Sequence, residues 1–362
     1  MASLREQLGQ MFMIGLPGTE LTAVETGLFA DSCLGGVILF DYNLHEPEQI
    51  YGLCRALWDQ SSGDLAPFIA IDQEGGRVHR LPEPFTDFPP AAALGSAGSA
   101  ELAFRFGWAT ARELMAVGIN VDFAPVLDVL SNPGNPVIGD RSLSSEPMAV
   151  AQLGWSIVEG LRSGGVIPCG KHFPGHGDTS EDSHLELPVV ARDEESLRRV
   201  ELPPFAHACD KGVDALMTAH VLYPAWDRER PVTLSHAIIT GVLRHEFKYD
   251  GVVFTDDLEM KAISGNYGLQ DAAVLAVEAG ADVLLFCHAL TEAMQAFERA
   301  LRRAEADARF RRRVEESYSR IRNLKRRYLK SLAPQNAFDQ LDLDSHREVA
   351  AEIRAAYKRC TQ

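Results

Sequence analysis

Fourteen consecutive residues, Lys171 to His184, read KHFPGHGDTSEDSH and gather three histidines, three acids and a lysine in one segment. Two kinds of chemistry suit such a segment. His172, His176 and His184 with Asp178 or Asp182 could supply nitrogen and oxygen ligands to a metal ion. However, spacings of four and eight residues fix no coordination geometry, and no HxH or HExxH pair is present. Alternatively, Asp182 stands two residues before His184 and could accept its Nδ1 proton. A carboxylate so placed sets the tautomer of an imidazole and stabilises its charged form, which equips the ring for acid/base work. The residues alone leave both readings open.

Three further segments carry reactive types. Gly251-Val-Val-Phe-Thr255 is an apolar run that ends in Asp256 and Asp257. Successive strand side chains diverge, so one carboxylate can face a site while its neighbour supports it. Such a carboxylate could be a nucleophile, a metal ligand, a base, or simply a helix cap. In AIDQEGGRVHR, Asp72 follows an apolar run and could accept hydrogen bonds from vicinal hydroxyls, while Gly75 and Gly76 let backbone approach a ligand. In NPVIGDRS, Arg141 could clamp a substrate. Ordinary loop salt bridges would account equally well for either of the last two.

These residues need elements to hold them. Eight short apolar runs recur along the chain: 11–14, 35–40, 67–71, 119–123, 166–170, 215–218, 251–255 and 281–287. Several are continuously apolar, as strands buried on both faces are. Helix-like stretches such as 47–61, 100–117, 147–163 and 272–279 separate them. Eight strand–helix units predict an α/β fold of the (β/α)8 type, with a doubly wound open sheet as competitor. Asp72, Asp122, Lys171 with His172, His220, Asp256 and His288 all fall at or just past strand ends. In a barrel those ends share the face that carries active sites. The expected organisation is a catalytic barrel over 1–331 and a C-terminal helical tail over 332–362.

Composition narrows the class. The chain has 362 residues, 46% hydrophobic and 24% charged, as globular proteins have. Its 35 Lys and Arg against 51 Asp and Glu leave a net charge of −16, which argues against nucleic-acid binding. Residues 302–330 depart from this with 12 basic and 4 acidic residues. Phe310, Val314, Tyr318, Ile321, Leu324 and Tyr328 recur there at helical spacing, so a basic amphipathic helix packing on an acidic barrel is expected. Six scattered cysteines without a CxxC pair read as free, mostly buried thiols. No run is long enough to span a membrane, and the apolar stretch 11–16 is too short for a signal peptide. A cytoplasmic protein with no nucleic-acid partner and no membrane insertion is the expectation, its oligomeric state open with a monomer favoured and a nucleic-acid or membrane contact the lesser reading of the basic helix.

Taken together, KHFPGHGDTSEDSH, GVVFTDDLEM, AIDQEGGRVHR and VIGDRS resemble the NagZ-type β-N-acetylhexosaminidases of glycoside hydrolase family 3, in order from about residue 8 to 330. The resemblance implies a (β/α)8 barrel that hydrolyses terminal β-linked N-acetylglucosamine with retention. It further implies a substrate such as GlcNAc-1,6-anhydroMurNAc and its peptides, in peptidoglycan recycling. Position by position, Asp256 matches the nucleophile, His184 the acid/base and Asp182 its partner. Asp72, Arg80, Arg141, Lys171 and His172 match the sugar-binding set. Neither a metal nor an organic cofactor is implied. Gln73, Thr255 and Leu143 depart from the family's more common His, Ser and aromatic residues. A metal-dependent barrel hydrolase, a family β-glucosidase or broad hexosaminidase, and a catalytically silent sugar-binding protein are the competing expectations.

Overall fold

The computed structural model describes residues 2–61, 65–183, 185–329 and 336–360. Eight parallel strands close into a barrel in sequence order. They are β1 (Phe12–Gly15), β2 (Gly36–Leu39), β3 (Phe68–Ile71), β4 (Val121–Asp122), β5 (Ile167–Phe173), β6 (Ala215–Thr218), β7 (Val252–Asp257) and β8 (Val283–Phe286). Each apolar run read from the sequence supplies one strand, and helices surround them as in a (β/α)8 barrel.

Two strands outrun their apolar segments. β5 continues through Lys171 and His172 to Phe173, and β7 takes in Asp256 and Asp257. Polarity does not end these ladders, because the strand tips line a polar mouth. Both strands shift register there, β5 against β6 between Gly170 and Phe173, and β7 against β8 between Phe254 and Asp257. Such irregularities re-aim side chains. Lys171, His172, Asp256 and Asp257 therefore stand on strand backbone rather than on loops.

Inside the barrel Phe254 meets Phe68 and Phe123, with ring centroids 5.8 and 5.4 Å apart. The basic helix Ala308–Tyr328 packs against the barrel with Phe310, Val314, Ile321 and Leu324 buried. Its charges meet acids of the barrel base. Arg313 and Arg320 reach Asp282, and Arg327 reaches Asp214. Lys325 is buried and donates to Gln10 Oε1 and Gly35 O, each at 2.7 Å. The final helix, Leu343–Cys360, buries Ala350 and Ile353, and its His346 Nδ1 pairs with Glu113 at 2.8 Å. Cys33, Cys54, Cys169, Cys209 and Cys287 are free thiols. Among the described residues no helix is long and apolar enough to cross a membrane.

Candidate active site

A cavity of about 380 Å³ opens at the C-terminal ends of the strands. Asp72, Arg80, Arg141, Lys171, His172, Asp182 and Asp256 all line it. His184, the remaining residue singled out in the sequence, lies outside the described residues.

The cavity is organised around one buried charge network. Lys171 Nζ lies 2.5 Å from Asp72 Oδ1 and 2.6 Å from Glu74 Oε1. Arg141 grips Glu74 through two bonds of 2.8 Å, from Nε to Oε2 and from Nη2 to Oε1. Burial opposes ionisation of Glu74, but Arg141 and Lys171 outweigh it and hold the carboxyl well below its usual range. Lys171 and Arg141 are likewise kept charged against burial by these acids. The pairing fixes both cations in a low-dielectric wall, where they are strong donors. Glu74 was quoted in the sequence without a role. Its only signal was a second carboxylate two residues after Asp72.

Asp128 was missed altogether. Its Oδ1 accepts the backbone N–H groups of His172 (3.0 Å) and His176 (2.8 Å), and its Oδ2 meets His172 Nδ1 at 2.7 Å. Burial raises the Asp128 carboxyl, but His172 and these bonds lower it further, so it stays ionised. An ionised carboxylate only accepts, so the proton on the His172 ring sits at Nδ1 and leaves Nε2 as its other polar atom. The one clue in the sequence was an acid inside the apolar run 126–130.

His176 is spent differently from either sequence reading. Its Nδ1 pairs with Thr179 Oγ1 (2.9 Å) and its Nε2 with Ser183 Oγ (3.1 Å). Burial, then the neighbouring His172, lowers its pKa to about 4, so the ring is neutral. It staples both ends of the segment that leads into Asp182. Among the described residues no three His, Cys, Asp or Glu side chains converge as a metal site would require.

The rest of this segment is shaped by backbone. Gly175 adopts φ +139°, outside the reach of ordinary L-residues. A Cβ on Gly177 would stand 1.6 Å from Val129 O. Asp178 is held by Arg192 through bonds of 2.6 and 2.5 Å. Asp182 O accepts from Leu185 N (2.9 Å) and Glu186 N (3.0 Å), closing a turn. Beneath the segment, Glu201 is fully buried, accepts from Ser131 Oγ at 2.6 Å and abuts Gly175.

Burial pushes the Glu201 carboxyl from 4.5 up to about 7, against a lowering by Ser131. A carboxyl with a raised folded pKa gives full stability below its unfolded pKa and loses it as pH rises through the folded value. Between pH 5 and 7.5, Glu201→Gln is therefore expected to gain stability relative to wild type, by roughly 3 kcal/mol at most. Melting midpoints of the two proteins across that range test this. A pH-independent difference would mean that Glu201 does not titrate in the window.

Asp256 and Asp257 have opposite fates. Burial raises Asp256, but His220, His172, the Asp257 N–H and Lys171 outweigh it, so the carboxyl lies below its usual value. Its Oδ1 accepts that N–H at 2.8 Å. Asp257, by contrast, is pushed up to about 7 by burial, and its Oδ1 accepts from Glu259 N (3.0 Å) and Cys287 N (3.3 Å). One of the pair is an ionised carboxylate and the other a brace for the β7–β8 rim. Thr255 adds to that brace, accepting Leu285 N at 3.0 Å.

Three other strand-end residues have supporting places. Asp122 is buried, accepts Gln73 N at 3.0 Å and does not line the cavity. His220 donates or accepts through Nδ1 to Thr233 Oγ1 (2.7 Å), and its Nε2 meets Asp257 O (2.8 Å). His288 lines the cavity rim. Gln73, one of the family departures, accepts Arg80 N at 2.8 Å and thereby seats Arg80, whose buried Nε has no hydrogen-bond partner among the described residues. A buried donor of this kind needs an acceptor, and a ligand in the cavity would supply one.

A larger cavity of about 910 Å³ lies at the opposite end of the strands, beside the helices Ala237–Glu246 and Ala308–Tyr328. Its inner arginines, Arg244 and Arg313, are already paired to Asp282 at 2.5 and 2.6 Å. It brings together no counterpart of the acid and base groups at the C-terminal mouth.

A parallel barrel whose mouth holds an ionised strand-tip carboxylate, further acids and fixed cations has the architecture of a glycoside hydrolase. Residues 3–324 match the glycosyl hydrolase family 3 N-terminal domain, and the chain belongs to that family. It is 43% identical over 282 residues to a β-hexosaminidase of Alkalilimnicola ehrlichii, covering 76% of this chain and 80% of the relative. Among solved structures it resembles a family 3 β-N-acetylglucosaminidase from Paenibacillus sp. str. FPU-7, with 43% identity and a TM-score of 0.93 over 99% of this chain and 69% of that one. It also resembles NagZ from Neisseria gonorrhoeae in complex with N-trifluoroacetyl-D-glucosamine, with 31% identity and a TM-score of 0.81 over 96% and 98% of the two chains.

Proposed function

We propose that the protein is a retaining exo-β-N-acetylglucosaminidase that works through a covalent glycosyl–Asp256 intermediate, with His184 and Asp182 as its acid/base dyad. The observation that carries this reading is the one small cavity shared by the ionised Asp256, Asp182 and five side chains suited to sugar hydroxyls. Relatives named β-hexosaminidase support the choice of sugar.

Asp72 and the cations Arg80, Arg141 and Lys171, with His172, hold the non-reducing sugar. Asp256, fixed through Oδ1, attacks the anomeric carbon and inverts it. His184 gives its proton to the departing glycosidic oxygen, then takes one from the water that cleaves the ester and inverts the centre again. Asp182 stabilises the imidazolium that this alternation requires. An imidazole titrating near ~6.5 serves both halves around neutrality. The reaction needs no metal or organic cofactor. The aglycone in this reading is the 1,6-anhydroMurNAc part of a peptidoglycan fragment, met in the cytoplasm by a monomeric enzyme.

Comparing aryl β-GlcNAc, β-GalNAc and β-glucose substrates tests the proposal. Preference for β-GlcNAc supports it, and preference for β-glucose replaces it with a family β-glucosidase. Asp182→Asn is expected to lower kcat roughly 10²-fold, because Asn can hold the ring but not stabilise its charge. KM should change little, since Asp182 is assigned to the charge that develops in the transition state. A wild-type kcat in this variant would remove Asp182 from the dyad.

A further inference from the structure

Phe40, Tyr42 and His288 form a row of stacked rings on the cavity rim. Phe40 stands between the other two, 5.6 Å from Tyr42 with planes 12° apart and 5.3 Å from His288 with planes 29° apart. Phe40 and His288 line the cavity, while Tyr42 lies beyond it and is 43% exposed. Phe40 and Tyr42 follow β2 and His288 follows β8, so the row stands on the side of the mouth made by β8, β1 and β2, next to β3, which pairs with β2 and leads into Asp72.

The backbone beneath the row is anchored by hydrogen bonds at both ends. Asn43 Oδ1 accepts Phe40 N at 2.9 Å, and its Nδ2 donates to Leu16 O (3.1 Å) and Gly18 O (2.6 Å). At the other end the Glu259 carboxylate accepts His288 N and Ala289 N, both at 2.6 Å. Glu259 is three residues beyond Asp256, and Asp257 Oδ1 joins Glu259 N to Cys287 N. The rings are thus indexed to the strand that carries Asp256. Tyr42 and His288 are exposed and Phe40 is half-buried, so the row leaves ring surface in water that a packed ligand would cover.

Size points the same way. A cavity of about 380 Å³ sits at the low end of ligand pockets and suits one sugar. The next sugar of a β-linked substrate must lie on the rim. We propose that Phe40, Tyr42 and His288 form the subsite for that leaving sugar, a pyranose whose C–H face packs on the aromatic row. The row also determines preference among aglycones. Asp41 Oδ1 accepts Tyr42 N at 3.0 Å and Glu259 Oε2 accepts His288 N at 2.6 Å, so carboxylates flank both ends of the row. The docked face is accordingly uncharged, and any carboxylate on the aglycone projects away from it.

This inference rests on the proposed β-N-acetylglucosaminidase activity, and the experiment separates the two. Wild type, Tyr42→Ala, Tyr42→Phe and His288→Ala are compared on a β-linked GlcNAc disaccharide and on β-GlcNAc fluoride, whose leaving group is too small to reach the row. The ratio of kcat/KM for disaccharide over fluoride is expected to fall about tenfold in Tyr42→Ala and His288→Ala, as for a lost aromatic contact, and to persist in Tyr42→Phe. Equal losses on both substrates, an unchanged ratio, or equal damage from Tyr42→Phe and Tyr42→Ala would overturn the subsite while leaving the activity in place. A wild type that cleaves neither compound would instead remove the activity, and the subsite with it.

Discussion

Asp256→Ala is expected to lower turnover by more than about 10⁴-fold, the order of loss that follows deletion of a covalent nucleophile. The effect should fall on every substrate, because the missing atom bonds to the anomeric carbon itself. Melting should stay near wild type, since the carboxyl gives up one accepted bond, from Asp257 N. Asp257 is not expected to substitute. Its carboxyl is pushed up to about 7 by burial and is already committed to Glu259 N and Cys287 N. A glycosyl fluoride with a further fluorine on the ring offers the direct view. The ring fluorine destabilises an oxocarbenium-like transition state, while the fluoride leaving group keeps the first step faster than the second. The trapped sugar should be found on the Asp256 peptide. Label on Asp257, or on no carboxylate, would reverse the assignment.

The contrast between the two aspartates shows what a sequence discloses and what it conceals. The eight barrel strands were legible because burial on both faces writes itself as a continuous apolar run. The strand ends were less so. Lys171, His172, Asp256 and Asp257 belong to strands, and their polarity reads as a loop because a barrel's mouth is wet. Spacing along the chain placed reactive residues near the mouth, yet it carried no information about which carboxylate of an adjacent pair stays charged. That depends on His220 and His172 reaching Asp256 from other strands, and on backbone donors that no motif spells.

The same reason hid Glu74 and Asp128. Each acts through partners far along the chain, Arg141 67 residues from Glu74 and His172 44 residues from Asp128. Each converts a flexible or ambiguous group into a fixed one: a guanidinium held in place, an imidazole with a defined tautomer. Single-residue chemistry can nominate a site. Pre-organisation is a property of pairs, and pairs appear only when the chain is folded.

The acid/base assignment yields the second large effect. His184→Ala on a 4-nitrophenyl β-GlcNAc is expected to lose most of its steady-state rate, on the order of 10²-fold or more. The two half-reactions should suffer unequally. A nitrophenolate departs with little protonation, so Asp256 can still be glycosylated. Water then needs a general base that is no longer there, and the ester should accumulate. A burst of nitrophenol, followed by slow turnover, is the expected trace. Azide attacks without deprotonation, so adding it should restore turnover and yield a β-glycosyl azide, its configuration retained through two inversions. On a disaccharide the leaving oxygen is a poor one and the first step itself should stall, with no burst and little rescue. The ratio of defects on the two substrates thus reports proton donation separately from proton removal. If His184→Ala shows neither accumulation nor azide rescue, and a chelator abolishes wild-type activity, the histidines serve a metal and the dyad is wrong.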